Sequence, residues 1–219
     1  MVIDNISKAN VIVCTDFFEI KKGDCIAVIG KNGQGKTTLL RTLSGNIFPD
    51  SGKIKLEGKC YNFPIRLRRR PKYQKEFRKQ ILYIENQGYL YNNLTCDQNI
   101  SYYMSSRNFD EDAFWDLLDK FEFDKNGLKK KIKETSLGTK QKILLSLAFS
   151  SMKSIILLDE PTLGLDICSR NILVEEIKKA KESKTVVIST NDQMIMNIFD
   201  LYLLCENDEV KRLHDNPYN

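Results

Sequence analysis

An apolar run, Cys25-Ile26-Ala27-Val28-Ile29, leads into Gly30-Lys31-Asn32-Gly33-Gln34-Gly35-Lys36-Thr37-Thr38, and Leu39-Leu40-Arg41-Thr42-Leu43 follows. The run reads as a buried β-strand and the residues from Thr38 as the first turns of a helix. A strand that passes through a glycine-rich loop straight into a helix points to an α/β sheet. The loop fits the pattern G-x-x-x-x-G-K-[ST], in which glycines let successive backbone N–H groups turn toward phosphate oxygens. The helix N-terminus adds the positive end of its dipole. In that geometry Lys36 reaches the β- and γ-phosphates and the Thr37 hydroxyl ligates Mg²⁺. Gly30, Asn32, Gly33, Gly35, Lys36, Thr37 and Thr38 are therefore the phosphate-binding candidates.

With 219 residues the chain suffices for one large domain or a compact pair of subdomains. A net charge of +5 is too small to argue for a nucleic-acid binder, and no nucleic-acid module is recognisable. The six cysteines are scattered without a Cys-x-x-Cys pair, which suggests free thiols in a reducing compartment. The single histidine, His214, makes a structural zinc site unexpected. No apolar run approaches the roughly 18–20 residues needed to span a bilayer, and Met1-Val2-Ile3-Asp4 lacks the features of a signal peptide. A cytosolic chain is expected; work at a membrane would need another polypeptide to supply the membrane part.

Ile6 to Phe18 alternates imperfectly and suggests antiparallel strands, and Pro49-Asp50-Ser51-Gly52 reads as a turn before the short strand Lys53–Leu56. Residues 66–79 break the pattern: eight of these fourteen positions are Lys or Arg, and Glu76 is the only acid. Three readings stay open for this segment: a solvated loop, contact with anionic lipid headgroups, or contact with an acidic face of a membrane partner. Ile81–Ile84 returns to strand. Thr95 and Gln98 are spaced as a capping box, a second helix starts near Asp110, and a third starts at Ser136. Phe114, Leu117, Leu118 and Phe121 make one apolar stripe on the second helix. Strands over Ser154–Leu158 and Thr185–Ser189, with a helix over roughly 169–183 between them, complete a strand–helix alternation interrupted by a helical insert.

Ile155-Ile156-Leu157-Leu158-Asp159-Glu160 is an apolar strand ending in two carboxylates. Asp159 is placed to hold Mg²⁺, and Glu160 to polarise an attacking water. With these residues the chain resembles the nucleotide-binding subunit of an ATP-binding-cassette (ABC) transporter over essentially its whole length. Gly30–Thr37 resembles Walker A and Ile155–Glu160 Walker B with its following glutamate. Leu163-Gly164-Leu165-Asp166 resembles the D-loop, and Ser136-Leu137-Gly138-Thr139-Lys140-Gln141 the signature motif. The resemblance implies a P-loop NTPase core with a mostly parallel sheet, an N-terminal antiparallel β subdomain and an inserted helical subdomain. The whole chain, 1–219, is then one domain, with core segments 1–85 and 154–219 and a helical subdomain over 86–153.

It further implies ATP and Mg²⁺ as ligands and an integral membrane permease as partner, with the chain on the inner, cytoplasmic face of the membrane. The expected assembly is a head-to-tail dimer, homo- or heterodimeric, in which Ser136 and Gly138 face nucleotide held by the second subunit. The form of the signature motif suggests the drug- or peptide-exporting branch. Three positions depart from the family pattern. Asn191 stands where a histidine normally follows the last core strand; it can donate a hydrogen bond but carries no charge, so slow ATPase is expected. Asn86, with Gln87 one residue late, stands at the glutamine position of the Q-loop, near Mg²⁺ or the attacking water. Ala9–Val13 lacks the aromatic that usually stacks on adenine. The catalytic candidates are thus Glu160, Lys36 and Asn191, and the metal-site candidates Thr37, Asp159, Asn86 and Gln87. A non-transport ABC ATPase, or a cassette that binds ATP with negligible hydrolysis, is the alternative.

Overall fold

A computed structural model describes residues 1–8, 12–13, 18–85, 89–213 and 215–217. The strands are β1 (Val2–Lys8), β2 (Ile12–Val13), β3 (Phe18–Glu19), β4 (Cys25–Ile29), β5 (Ser51–Leu56), β6 (Lys59–Phe63), β7 (Ile81–Ile84), β8 (Ile155–Asp159), β9 (Thr185–Ser189), β10 (Leu201–Glu206) and β11 (Glu209–Leu213). The helices are α1 (Lys36–Leu43), α2 (Arg70–Gln80), α3 (Cys96–Met104), α4 (Glu111–Lys120), α5 (Leu137–Ser150) and α6 (Ile167–Ala180). The strands form one sheet in the order β6-β5-β1-β2-β11-β10-β4-β9-β8-β7, with β3 paired to β1. From β10 to β7 all neighbours are parallel, whereas β1 pairs antiparallel with β2, β3 and β5, and β5 with β6.

Every residue of β4, β7, β8 and β9 is buried, as strands covered on both faces must be. The alternation along β4 explains how. Ile26 and Val28 pack with Leu39, Leu40 and Leu43 of α1 on one side. Cys25, Ala27 and Ile29 face the other side, where Leu144, Leu145 and Ala148 of α5 and Leu173 and Ile177 of α6 cover the sheet. A third cluster joins Cys96 and Ile100 of α3, Phe114 and Leu118 of α4, and Ile143 and Leu147 of α5. Helix α5 therefore presents residues to both the sheet and the pair α3 and α4, and ties the two together. No helix among the described residues is long and apolar enough to cross a membrane.

Local chemistry sets the helix starts. Thr95 and Gln98 form the reciprocal capping box at α3, and Asp110 and Ser136 cap α4 and α5 by accepting from Ala113 N and Thr139 N. Asp166 accepts from Ser169 N at 2.7 Å, so α6 begins two residues before the expected span. Residues 66–79 are not a loop. A single 3₁₀ turn, Leu67–Arg69, runs into α2, which has Pro71 in its first turn and Tyr73 and Phe77 buried one helical turn apart. The β10–β11 hairpin lies beyond the expected elements. Its turn carries positive φ at Asn207 (49°) and Asp208 (63°), conformations that Asn and Asp tolerate best after glycine.

Candidate functional site

The register of the parallel strands decides what meets. Val28 of β4 is level with Ser189 of β9, and Ser189 with Asp159 of β8. The carboxyl ends of three adjacent strands thus open on one edge, where Gly30, Glu160 and Thr190 continue the chains. This is the usual ligand-binding edge of an open α/β sheet.

Gly30, Gly33 and Gly35 all have positive φ, at 141°, 84° and 90°. At Gly30 the reason is also steric, since a Cβ would stand 2.2 Å from the Cys205 carbonyl oxygen of β10. Helix α1 begins at Lys36 with Gly35 as its N-cap and no side-chain cap, so its first amides are left to the loop. The Lys36 side chain is buried. Its ammonium donates to Gly30 O at 2.7 Å and to Lys31 O at 3.4 Å, and lies 3.5 Å from Glu160 Oε1. Asn32 and Gly33 are exposed at the loop tip, and Thr38 is half-buried.

The Thr37 hydroxyl donates to Asp159 Oδ2 at 2.7 Å, and the Ser189 hydroxyl donates to Asp159 Oδ1. Asp159 is buried and held at both oxygens. Glu160 has φ +48°, and its N–H donates to Ser189 O and Ser189 Oγ, each at 3.0 Å. Burial raises the Glu160 carboxyl above its ordinary pKa, and the Lys36 ammonium works against that rise. Asn191 turns its Oδ1 to accept from Gly30 N at 3.3 Å, which leaves its amide N–H₂ as the outward donor. A cavity of about 330 Å³ opens beside these groups, lined by Gly30, Lys31, Gln34, Asn191 and residues 204–207. The Gln34 side chain fixes its rim by accepting from Asn207 N at 2.8 Å.

Ser189 and Gln34 are the residues that sequence reasoning missed. Arg41 of α1 ion-pairs Glu85 at the end of β7, where the Q-loop candidates begin. Asn86 and Gln87 themselves lie outside the described residues, as do residues 9–11 of the adenine segment.

Ser136 and Gly138 form a second cluster. The Ser136 hydroxyl accepts from Thr139 N at 3.1 Å as the cap of α5. A Cβ on Gly138 would stand 2.6 Å from Gly164 O, and one on Gly164 would meet Leu137 Cγ at 2.8 Å. Buried Gln141 donates to Pro161 O at 2.9 Å. The start of α5 is therefore locked against residues 161–164, which follow Glu160 directly. Among the described residues, no hydrogen bond or ion pair joins Ser136 or Gly138 to the loop Gly30–Thr38. Leu137, Leu163, Ile167 and Met194 are exposed large apolar side chains on or near this second cluster.

The donor set suits Mg²⁺. Mg²⁺ takes hard oxygen ligands, commonly one or two carboxylates together with substrate phosphates. The Thr37 hydroxyl and the Asp159 carboxylate supply two such oxygens in contact with each other, beside the loop that would hold the phosphates. Among the described residues, no group of three or more His, Cys, Asp or Glu is placed to hold a metal ion.

A family model described as "ABC transporter" matches residues 16–163. The chain belongs to the ABC transporter family. It is 30% identical over 177 residues to the ABC transporter ATP-binding protein YtrB of Bacillus subtilis, a match covering 80% of this chain and 56% of YtrB. It is 32% identical over 181 residues to the SkfA peptide export ATP-binding protein SkfE of the same organism, covering 80% of this chain and 70% of SkfE. The chain thus spans just over half of the length of YtrB. A solved dimer of an ATP-binding cassette in a post-hydrolysis state with ADP and Pi superposes with a TM-score of 0.79 at 20% identity, covering 97% of each chain. That likeness establishes the ABC cassette fold: a P-loop NTPase core with a mostly parallel sheet, antiparallel strands and a helical part.

Proposed function

We propose that this ABC chain binds ATP with Mg²⁺ at the edge formed by β4, β8 and β9 and hydrolyses it to drive a separate membrane subunit. The observation that carries the reading is the convergence of Lys36, Thr37, Asp159, Glu160 and Asn191 on the glycine loop. Thr37 and Asp159 would hold Mg²⁺, which would supply positive charge to offset that of the phosphates. Gly33, Gly35 and the first amides of α1 cradle the phosphates, with Asn32 at the loop tip and Thr38 in the first turn of α1. Lys36 moves from Gly30 O to the phosphate oxygens, a stronger charge-assisted partner. Glu160 orients water for attack in line with the leaving oxygen.

Asn191 is oriented by Gly30 N–H so that its amide donates toward the transferring phosphoryl group. An amide carries no positive charge, and loss of one well-placed donor to a transition state costs roughly 10²–10³ in rate. Asn191 recovers part of that, so turnover is slow. Asn86 by register, or Gln87 one residue later, is proposed to serve Mg²⁺ or the attacking water; both lie outside the described residues.

Within one chain, Ser136 and Gly138 are not joined to this loop, and exposed Leu137, Leu163, Ile167 and Met194 accompany them. A second cassette in head-to-tail arrangement supplies the missing half of each site and covers these side chains. The dimeric state of the solved cassette named above supports that assembly. The second cassette is a copy of this chain or a different cassette. The cassette sits at the cytoplasmic face of a membrane, against a permease subunit. The relative named for peptide export supports the exporting branch.

Nucleotide binding and turnover test the reading. Native protein is expected to hydrolyse Mg-ATP slowly, Lys36→Ala to lose both tight binding and turnover, and Asn191→His to raise turnover by at least about tenfold. Tight ATP binding with no turnover in either native protein or Asn191→His would favour an ATP-gated cassette instead.

A further inference from the structure

Helix α2 has two unlike faces. Its inner face seats Tyr73 and Phe77 in the core, with the Tyr73 ring 5.2 Å from Phe48, 5.0 Å from Tyr61 and 5.4 Å from Phe63. Arg70 alone among the basic residues folds inward, its guanidinium 4.8 Å over the Phe48 ring. Arg68, Arg69, Lys72, Lys75, Arg78 and Lys79 are all exposed. The one acid of the helix, Glu76, is already engaged by Lys59 at 2.5 Å. Among the described residues, none of those six cations has a carboxylate at ion-pair distance. A strip of cations roughly 16 Å long, with one carboxylate, Glu76, near Lys72 and Lys79, costs self-repulsion and calls for an anionic surface.

Two apolar tips indicate which surface. Leu67, between Arg66 and Arg68, is 74% exposed and is the most exposed large apolar side chain among the described residues. Met152 is 68% exposed, and its neighbour Lys153 lines one cavity with Pro71, Gln74, Lys75, Arg78 and Lys79. Apolar side chains standing out beside a row of long cationic ones match an interface with acyl chains below and phosphate headgroups above. We propose that the outer face of α2, with Leu67 at its leading end, docks this chain on an anionic lipid surface. This contact is separate from the nucleotide site, and neither Lys36 nor Glu160 takes part in it.

Flotation of the full chain with phosphatidylcholine vesicles, with and without phosphatidylglycerol, tests the proposal. Native protein is expected to float only with the anionic vesicles and to release at high salt. The triple variant Arg68→Gln, Lys72→Gln, Lys75→Gln should bind about a hundredfold more weakly, at about fivefold per cation removed. Leu67→Ser should weaken binding several-fold at unchanged charge. ATP binding and thermal unfolding of both variants should match the native chain, which separates this test from that of the ATPase reading. Native protein that ignores anionic vesicles, or a triple variant that binds them equally, overturns the proposal. So does full displacement of the vesicles by a polyglutamate peptide with Leu67→Ser behaving as native, which would assign the face to an acidic protein segment.

Discussion

Glu160→Gln is expected to lower ATP turnover by roughly 10²–10⁴-fold while leaving ATP binding in place, because only the side chain that activates water is altered. The geometry makes this a clean substitution. Glutamine keeps the shape of the side chain, and the backbone bonds from Glu160 N to Ser189 O and Oγ do not involve the carboxylate. Lys36 loses a carboxylate at 3.5 Å but keeps its 2.7 Å bond to Gly30 O. Burial also disfavours the charged form of Glu160, so a neutral amide relieves part of that cost. Steady-state phosphate release and thermal unfolding check both halves: turnover should fall steeply and the unfolding temperature should not. Equal turnover in the two proteins would remove Glu160 from the chemistry.

Gly30→Ala should be the most disruptive single-methyl change in the site. Its Cβ would stand 2.2 Å from Cys205 O and 3.2 Å from Cys205 C, both backbone atoms of the strand that pairs with β4. Neither strand can yield without breaking the parallel ladder that aligns Ile29 with Leu204. Left-handed strain of about 1–2 kcal/mol and overpacking of about 1–3 kcal/mol add to roughly 3 kcal/mol. That lowers the unfolding temperature by about 6–12 °C in a chain of this size. Gly33→Ala is the control: its φ is +84°, but nothing lies within 4 Å of its Cβ position, so only the strain should appear. Thermal unfolding without nucleotide separates the two. Similar shifts would mean that contact with Cys205 is not what fixes the loop.

Features that depend on nearest neighbours were legible in the sequence. The strand–loop–helix at 25–43 carries its own periodicity and glycine spacing, and Thr95, Asp110 and Ser136 mark helix starts by side-chain chemistry that acts within three residues. Helix α2 was hidden because Tyr73 and Phe77 are its only buried side chains, and eight Lys and Arg residues over 66–79 obscure that two-point stripe. Ser189 looks like any polar strand end. Its role exists only once β8 and β9 align it with Asp159, a relation between residues thirty positions apart. The position of Asn191 was readable, but the direction of its amide was not, since that is set by Gly30 N–H far upstream. The separation of Ser136 and Gly138 from the glycine loop is likewise a property of three-dimensional packing.

The two-chain site is the central claim, and mixing two inactive variants tests it most directly. Lys36→Ala removes the phosphate contact on one side. Ser136→Asp keeps a competent helix cap but aims a carboxylate at phosphate on the other. In a head-to-tail dimer the mixed species holds one site with both defects and one with neither. ATP turnover of the mixture is expected to recover to roughly a quarter of the native rate, since half of randomly assembled dimers are mixed and each has one intact site of two. A mixture no more active than its two components would contradict a site shared between two copies of this chain.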